Sequence, residues 1–165
     1  MRAYTKIGDI YRVQLENGVV RYVHYIAKDS SELHSDVIRI YKHHYHIDDS
    51  PTIDYILSDK IECHLHTFVR YGVKWGLWDK YGSSMINDRE ISSIVFRDSL
   101  DYGKYPKQTI VSKQWVVWRI NGPRLFVGEL PKQYYSSDVG GVYAPEHIIY
   151  RLKTGEMPDK YYPLY

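Results

Sequence analysis

The N-terminal third of the chain carries a strong β-hairpin signal, and this feature constrains the fold more than any other. In residues 9–15, apolar side chains alternate with polar ones, which is the period of a strand with one buried face. Asn17-Gly18 follows, and this pair favours a two-residue type I′ turn because both residues accept positive φ. Residues 19–27 are rich in β-branched and aromatic side chains. The sequence therefore predicts an antiparallel hairpin.

Further segments have the composition of strands, and two have the signals of helices. The predicted strands are 36–42, 61–70, 73–80, 91–97, 115–120 and 125–130. Apolar residues in 33–44 also fit a helical face, so we expect a short helical turn before the first of these strands. Ser50-Pro51 predicts the start of one helix, with serine as its cap. A second helix is predicted over 145–153, closed by Gly155.

These elements predict a single globular α+β domain over residues 1–165, since no linker rich in Gly or Ser divides them. The sheet is expected to be predominantly antiparallel and strongly twisted, with partial barrel closure as an open alternative and two or three short helices beside it. With 165 residues and 44% hydrophobic content, the chain can bury a core of ordinary size. Its 18 tyrosines, against 3 Phe and 4 Trp, suit half-buried sheet faces and interfaces.

The cysteine content and the first residues favour a protein of the cytoplasm. Cys63 is the single cysteine, so no internal disulfide can form, which fits a reducing compartment. The net charge is only +2, so neither disorder nor a highly charged tail is indicated. The first residues lack the apolar run of a signal peptide, and the other apolar runs are far shorter than the ~20 residues that cross a bilayer. We therefore expect a cytoplasmic protein without membrane contacts, and the oligomeric state is left open.

Two histidine-containing segments are candidates for a metal site, which would make the chain a metal-dependent enzyme. They comprise His43, His44 and His46 beside Asp48 and Asp49, and His64 and His66 on one strand face with Glu62. Their spacing matches no zinc-finger, zincin or facial-triad pattern, so we predict exposed histidines and no metal or cofactor. Cys63 shares the apolar face of strand 61–70, which predicts a buried, inert thiol. Since no nucleophile elbow is present, no catalytic residue is assigned.

A basic segment at 104–132 is a candidate for nucleic-acid binding. It holds six basic residues and one acidic residue, interleaved with Trp115, Trp118 and Phe126. Cations and stacking aromatics together are how proteins hold single strands. The rest of the chain is slightly acidic, however, and the domain is not strongly basic. We therefore prefer a solvated sheet face with lysines at an edge, and keep nucleic-acid binding as the alternative.

Two Trp-x-x-Trp segments suggest where a partner binds. Residues three apart on a strand point to opposite faces, so one ring of each pair is predicted to face inward. By their neighbours, Trp75 and Trp118 are predicted to lie in the core, and Trp78 and Trp115 to face outward. An outward Trp beside Lys and Arg has the composition of an interface anchor. The predicted partner-binding residues are Trp78, Trp115, Arg119, Arg124, Tyr134 and Tyr135.

Three stretches carry a resemblance to a known family. The opening 6–13, Lys-Ile-Gly-Asp-Ile-Tyr-Arg-Val, and the later segments 20–25 and 36–41 resemble the immunity protein 26 family of bacterial polymorphic toxin systems. The resemblance implies a small cytoplasmic α+β protein that binds and neutralises a cognate toxin domain, and it implies no catalytic residues. The leading hypothesis is therefore a non-enzymatic protein-binding domain, followed by a nucleic-acid-binding module and, third, a metal-dependent enzyme.

Overall fold

The structure is a computed structural model that describes residues 4–102, 111–158 and 163–165. The strands in chain order are β1 (Asp9–Gln14), β2 (Val19–Asp29), β3 (Ser35–Tyr41), β4 (Tyr45–His46), β5 (Ile61–Thr67), β6 (Asp79–Ser83), β7 (Val95–Ser99), β8 (Trp115–Arg119), β9 (Leu125–Gly128), β10 (Asp138–Val139) and β11 (Val142–Tyr143). The helices are α1 (Ile53–Leu57), α2 (Val69–Lys74), α3 (Asp88–Ser93) and α4 (Pro145–Thr154).

The strands form two sheets. The larger sheet has the order β11-β5-β3-β2-β1-β6, with β4 paired to the start of β2, and the smaller sheet has the order β10-β7-β8-β9. The pairs β11 with β5 and β10 with β7 are parallel, and the other pairs are antiparallel. The expected α+β class is confirmed. Within the described residues the sheets stay open, and four α-helices accompany them where two or three were expected.

The predicted N-terminal hairpin is confirmed, and its turn is longer than expected. β1 pairs with β2 in antiparallel register, from Ile10 opposite His24 to Gln14 opposite Val20. The Leu15 backbone N–H donates to the Val19 carbonyl at 2.8 Å, which leaves a loop of three residues. Its last two residues, Asn17-Gly18, have φ values of 56° and 72°. The pair thus supplies the positive φ that was predicted, in a three-residue loop and not a type I′ turn.

Both faces of the larger sheet are buried over its central strands. One face packs against α2, α4 and Trp78, with buried residues that include Tyr11, Val23, Ile38, Leu65 and Ile148. On the opposite face, Ile26 and Val37 pack against Phe96 and Trp118 of the smaller sheet. A third cluster packs α1 against strands β1 to β4 of the larger sheet. It contains Ile10, Tyr22, Tyr41, Tyr45 and Ile56. The smaller sheet therefore covers part of the larger one.

Three predicted strands are partly helical: 61–70, which runs into the start of α2, and 73–80 and 91–97. Segment 73–80 includes the end of α2, and β6 begins only at Asp79. Asp36 of the neighbouring β3 caps this helix, because its Oδ2 accepts the Val69 backbone N–H at 3.0 Å. Segment 91–97 likewise begins in α3, whose Asn87 cap accepts the Arg89 backbone N–H at 3.0 Å. A capping side chain on a distant strand leaves no signal in the sequence around the helix. Asn87, in contrast, directly precedes α3 and is a local capping signal that the strand prediction for 91–97 overlooked.

The other elements agree with the sequence more closely. Segment 33–44 contains β3, as expected, with no helix before it. Helix α1 is present, but Thr52 caps it in place of Ser50: its hydroxyl oxygen accepts the Tyr55 backbone N–H at 3.2 Å. Helix α4 runs over Pro145–Thr154 and ends at Gly155 with φ of 75°, which confirms the predicted start and stop.

The tryptophan orientations differ from the prediction at three of four positions. Trp78 and Trp115, expected outside, are each 1% exposed, and Trp75, expected in the core, is 49% exposed. Trp118 is buried as predicted. Trp75 follows the last turn of α2, so strand alternation does not apply to the 75–78 pair. Trp115 is buried because both faces of β8 are covered, one by the larger sheet and the other by Leu130 and Tyr134.

Candidate protein-binding surface

The smaller sheet ends in an exposed apolar strand. Within the described residues, β9 has β8 as its only strand partner. Leu125 and Phe126, its first two residues, are 55% and 60% exposed. Paired with Val117 and Val116, they lie on opposite faces of the sheet. An exposed apolar edge strand is a template for pairing with another chain, and natural proteins usually protect such edges.

A shallow groove runs beside this edge on the face that carries Trp115 and Val117, which we call the outer face. The groove has a volume of about 120 Å³, and its lining includes Val95, Val117, Arg119, Pro123, Leu125 and Tyr134. Arg119 is the exposed last residue of β8 and donates to the Ser92 carbonyl at 2.9 Å. We call the outer face together with β9 the edge surface. It offers apolar area, a cation and a tyrosine hydroxyl.

The remaining predicted residues near this surface hold other contacts. The Arg124 Nε pairs with Glu32 Oε2 at 3.0 Å, and the guanidinium lies 5.1 Å from the centre of the Trp118 ring. Tyr135 is 38% exposed, and its ring centroid is 4.4 Å from that of Tyr165. The structure therefore brings Arg119 and Tyr134 together at the groove, with Arg124 beside the ring of Trp118.

The two tryptophans predicted to contact a partner are structural. Trp115 lies beneath the outer face, where its Nε1–H donates to the Ser112 carbonyl at 3.1 Å. Trp78 belongs to a different region, since it packs with Tyr11 under helix α2 at 6.2 Å between ring centroids. Leu125 was missed as a site residue, and Phe126 was named only as a stacking ring of the basic segment and not as a partner-binding residue. Their strand was predicted, but its position at a sheet edge depends on strand order, which has no local signal.

The basic segment offers little stacking surface for bases. Lys104 and Lys107 lie outside the described residues. Trp115 and Trp118 are each 1% exposed, so Phe126 is the one ring of the three that an incoming base can reach. Lys113 pairs with Glu129 at 3.1 Å. Single-strand binding needs exposed rings along a basic track, and the described part of this segment has only one such ring, Phe126.

The histidine segments are spread over separate contacts. Within the described residues, no three His, Cys, Asp or Glu side chains form a group that could hold a metal ion. His66 was expected to be exposed and is fully buried, with Nε2 3.1 Å from Asp29 Oδ2. Burial lowers the pKa of His66, and its contact with Asp29 opposes that shift. His64 Nδ1 lies 3.1 Å from Asp138 Oδ2. Both histidines lie where the two sheets meet: His66 packs against Phe96 of β7, and His64 contacts Asp138 of β10.

The expected burial of Cys63 is confirmed, since the residue is 6% exposed. Burial raises the pKa of its thiol to about 12. A thiol is the protonated and weakly nucleophilic form of cysteine. Cys63 therefore packs as an apolar side chain at neutral pH.

One arrangement has the spacing of a nucleophile and a base. His24 Nε2 lies 3.1 Å from Ser84 Oγ, and His24 Nδ1 lies 3.1 Å from the Tyr41 hydroxyl. Burial, with a contribution from Arg39, lowers the pKa of His24 to about 4. A catalytic histidine base works best with a pKa near the operating pH and a carboxylate that orients it. A phenol takes that place here, so the contacts serve packing better than proton transfer.

Comparison with known proteins found no matching family model, no similar curated protein and no similar solved structure. Among the residues that the structure describes, every helix is too short or too polar to span a membrane. Since no relative indicates a functional site, the edge surface is a candidate binding site on the geometry of this chain alone.

Proposed function

We propose that this protein is a non-enzymatic binding protein that captures a partner protein through its edge surface. The observation that carries the proposal is β9, where Leu125 and Phe126 are more than half exposed on an open strand edge. On the outer face, Leu125 continues the apolar lining of the groove with Val95, Val117 and Pro123, and exposed apolar patches of this kind are characteristic of interaction sites. An edge strand also offers unpaired backbone N–H and C=O groups to an incoming segment.

The geometry supports addition of a partner strand to β9. In this mode, backbone hydrogen bonds supply affinity, and pockets for alternate side chains supply specificity. The groove beside Leu125 provides such a pocket on the outer face. Arg119 at the groove is exposed and can meet a carboxylate of the partner, and Tyr134 can donate a hydrogen bond. The buried Trp115 beneath them keeps this face rigid.

The resemblance to the immunity protein 26 family suggests the partner: a toxin domain that the protein neutralises by covering it. An inhibitor of this type needs a stable sheet and an exposed anchor surface rather than catalytic groups. The mildly basic net charge of +2 does not favour a nuclease as the target, because inhibitors of nucleases are often acidic. We therefore propose a toxin with another activity, neutralised in the cytoplasm.

The test begins with the genes that flank the gene of this protein: a flanking toxin domain is co-expressed with the protein, and calorimetry is carried out on the purified pair. We expect growth to be restored and the two proteins to bind directly. Leu125→Lys should weaken binding by about 30-fold or more, because it removes a hot-spot side chain and places a charge in the apolar groove. Tyr55→Lys is the matched control, since Tyr55 is 57% exposed on α1 and outside the edge surface.

The outcomes separate the two parts of the proposal. If the wild-type protein neither binds the toxin domain nor restores growth, toxin neutralisation is contradicted. If Leu125→Lys binds as tightly as the wild type while remaining folded, the partner uses a different surface.

A further inference from the structure

Helix α2 and the two residues that flank it present a row of exposed aromatic rings that the proposed function does not use. Phe68, Tyr71 and Trp75 are 40%, 44% and 49% exposed. They are spaced by three and four residues, so they follow one side of the helix. The Phe68 and Tyr71 rings meet edge to face with centroids 5.9 Å apart, and the Tyr71 and Trp75 rings stack at 5.3 Å. We call these three residues the aromatic ladder.

The helix backbone that carries the ladder is anchored to the core beneath it. Val69 is fully buried, and its backbone N–H is bound by Asp36. Gly72 lies so close to Trp78 that a Cβ there would come within 2.5 Å of the indole. The Trp78 backbone N–H also donates to the Gly72 carbonyl at 3.2 Å. Rings already fixed in place lose little conformational entropy on binding.

Two cations flank the ladder, and neither has an acidic neighbour in sequence. Arg70 and Lys74 are exposed and lie four residues apart, where like charges repel each other slightly. No Asp or Glu occurs between Glu62 and Asp79. Within the described residues, neither side chain forms an ion pair. The patch is therefore apolar and basic at once.

We propose that the aromatic ladder with Arg70 and Lys74 docks an acidic segment of a partner protein. Exposed Trp, Tyr and Arg are the residue types that dominate binding hot spots. The two exposed cations supply charge complementarity to carboxylates, and the rings cover apolar side chains between them. This site is separate from the edge surface, since α2 packs on the larger sheet.

Geometry favours an acidic peptide over a single-stranded nucleic acid. Tyr71 and Trp75 stack on each other with an angle of 22° between ring planes. One face of each ring is therefore closed to a base, whereas single-strand binding stacks successive bases on open ring faces. The ring edges and the side chains of Arg70 and Lys74 stay accessible to carboxylates and apolar groups.

The experiment titrates the full-length protein with a short synthetic peptide of Asp, Glu, Leu and Phe. Its Asn and Gln counterpart and an oligothymidylate of similar length are the comparisons. Binding is followed by calorimetry and by ¹⁹F NMR of protein that contains 5-fluorotryptophan. We expect the acidic peptide alone to bind and to shift the Trp75 resonance, with an affinity that falls as salt rises.

Variants make the proposal specific to this patch. Trp75→Ala should weaken peptide binding by about 30-fold. Arg70→Gln with Lys74→Gln should weaken it and flatten its salt dependence. Tyr55→Ala, which removes an exposed ring on α1 outside both proposed surfaces, should leave it unchanged. Failure of the acidic peptide to bind, binding that survives Trp75→Ala in a folded protein, or tighter binding of the oligothymidylate would each overturn the proposal.

Discussion

The two Trp-x-x-Trp segments have the same spacing and different structures. In the first, Trp75 is 49% exposed at the end of α2, and Trp78 is 1% exposed beneath the same helix. In the second, Trp115 and Trp118 are 1% exposed on opposite faces of β8. The alternation predicted for a strand holds in the second segment, yet it does not lead one ring to solvent. A side chain that points away from one core is still buried when a second layer of the protein covers that face, as Leu130 and Tyr134 cover Trp115.

The three buried rings also differ in how their N–H groups are satisfied. Trp118 Nε1 donates to Asp29 Oδ2 at 3.3 Å, and Trp115 Nε1 donates to the Ser112 carbonyl at 3.1 Å. Trp78 Nε1 is buried without a hydrogen-bond partner in the described part of the chain. The strand segment thus combines packing with hydrogen bonds, whereas the helix segment depends on packing alone.

The largest expected effect separates the buried rings from the exposed one. Trp78→Ala, Trp115→Ala and Trp118→Ala should each lower the free energy of unfolding by about 3–5 kcal/mol, because each leaves a large cavity. Urea unfolding followed by far-UV circular dichroism measures this. A loss below about 1 kcal/mol at Trp78 or Trp115 would mean that the ring is not in the core.

Two glycines test the close packing around the inward rings. Gly72→Ala would place a Cβ against Trp78, and Gly140→Ala would place one against Trp118. We expect each to cost about 1–3 kcal/mol of unfolding free energy, which is typical of overpacking. Gly141→Ala is the control, since its Cβ would meet the Tyr143 hydroxyl at 3.3 Å, and it should cost less. Equal losses for Gly140→Ala and Gly141→Ala would contradict this packing.

Acid should destabilise the strand segment through His66, whose ring centroid is 6.4 Å from that of Trp118. Because burial lowers the pKa of folded His66, the unfolded chain takes up a proton first as the pH falls below about 6.5. The free energy of unfolding should then fall by up to about 1.4 kcal/mol per pH unit for each such histidine. His24, with a pKa of about 4, adds to this loss between about pH 6.5 and 4.

Urea unfolding at a series of pH values from 7 to 4.5 measures the acid effect. His66→Gln removes one titrating group, so its stability should depend less steeply on pH than that of the wild type. In ¹⁹F NMR of protein with 5-fluorotryptophan, the Trp118 resonance should respond before that of Trp78, which packs against Tyr11. An unchanged slope in His66→Gln would show that His66 does not titrate as proposed.

Conservative replacements should distinguish the hydrogen-bonded indole from the unbonded one. Trp118→Phe leaves the Asp29 carboxylate without the indole donor, whereas Trp78→Phe removes a buried N–H that has no hydrogen-bond partner among the described residues. We expect Trp118→Phe to cost about 1 kcal/mol more unfolding free energy than Trp78→Phe. Thermal and urea unfolding of the two variants under identical conditions provide the comparison. The reverse order would mean that the Trp78 N–H finds a partner in solution.

The smallest expected effect belongs to the exposed ring. Trp75→Ala should change the free energy of unfolding by less than about 0.5 kcal/mol, because nearly half of its surface already faces water. In the wild type, the Trp75 ¹⁹F resonance should broaden with a soluble paramagnetic agent, while the other three stay sharp. Protection of Trp75 to the same degree as Trp78 would contradict the exposure of the ladder.

Local signals predicted the elements whose geometry depends on neighbouring residues in the chain. The apolar alternation and Asn17-Gly18 led to the hairpin, and Pro145 with Gly155 led to α4, because turns and helix ends are chosen by local backbone chemistry. The alternation in β5 also predicted the burial of Cys63. Of the candidate site, the sequence indicated Arg119 and Tyr134 as partner-binding residues. It did not indicate Leu125, and it indicated Phe126 only as a stacking ring for nucleic acid, since a strand's position in a sheet has no local signal.

The sequence by itself determined the α+β class, the first hairpin and the helix over Pro145–Thr154. Only the tertiary structure decided that Val69–Lys74 is a helix, because its cap is Asp36 on a different strand. It also decided that His66 is buried against Asp29 and that Trp115 is covered on its outer side. Each of these depends on which layers meet, and layers meet through contacts between residues far apart in the chain.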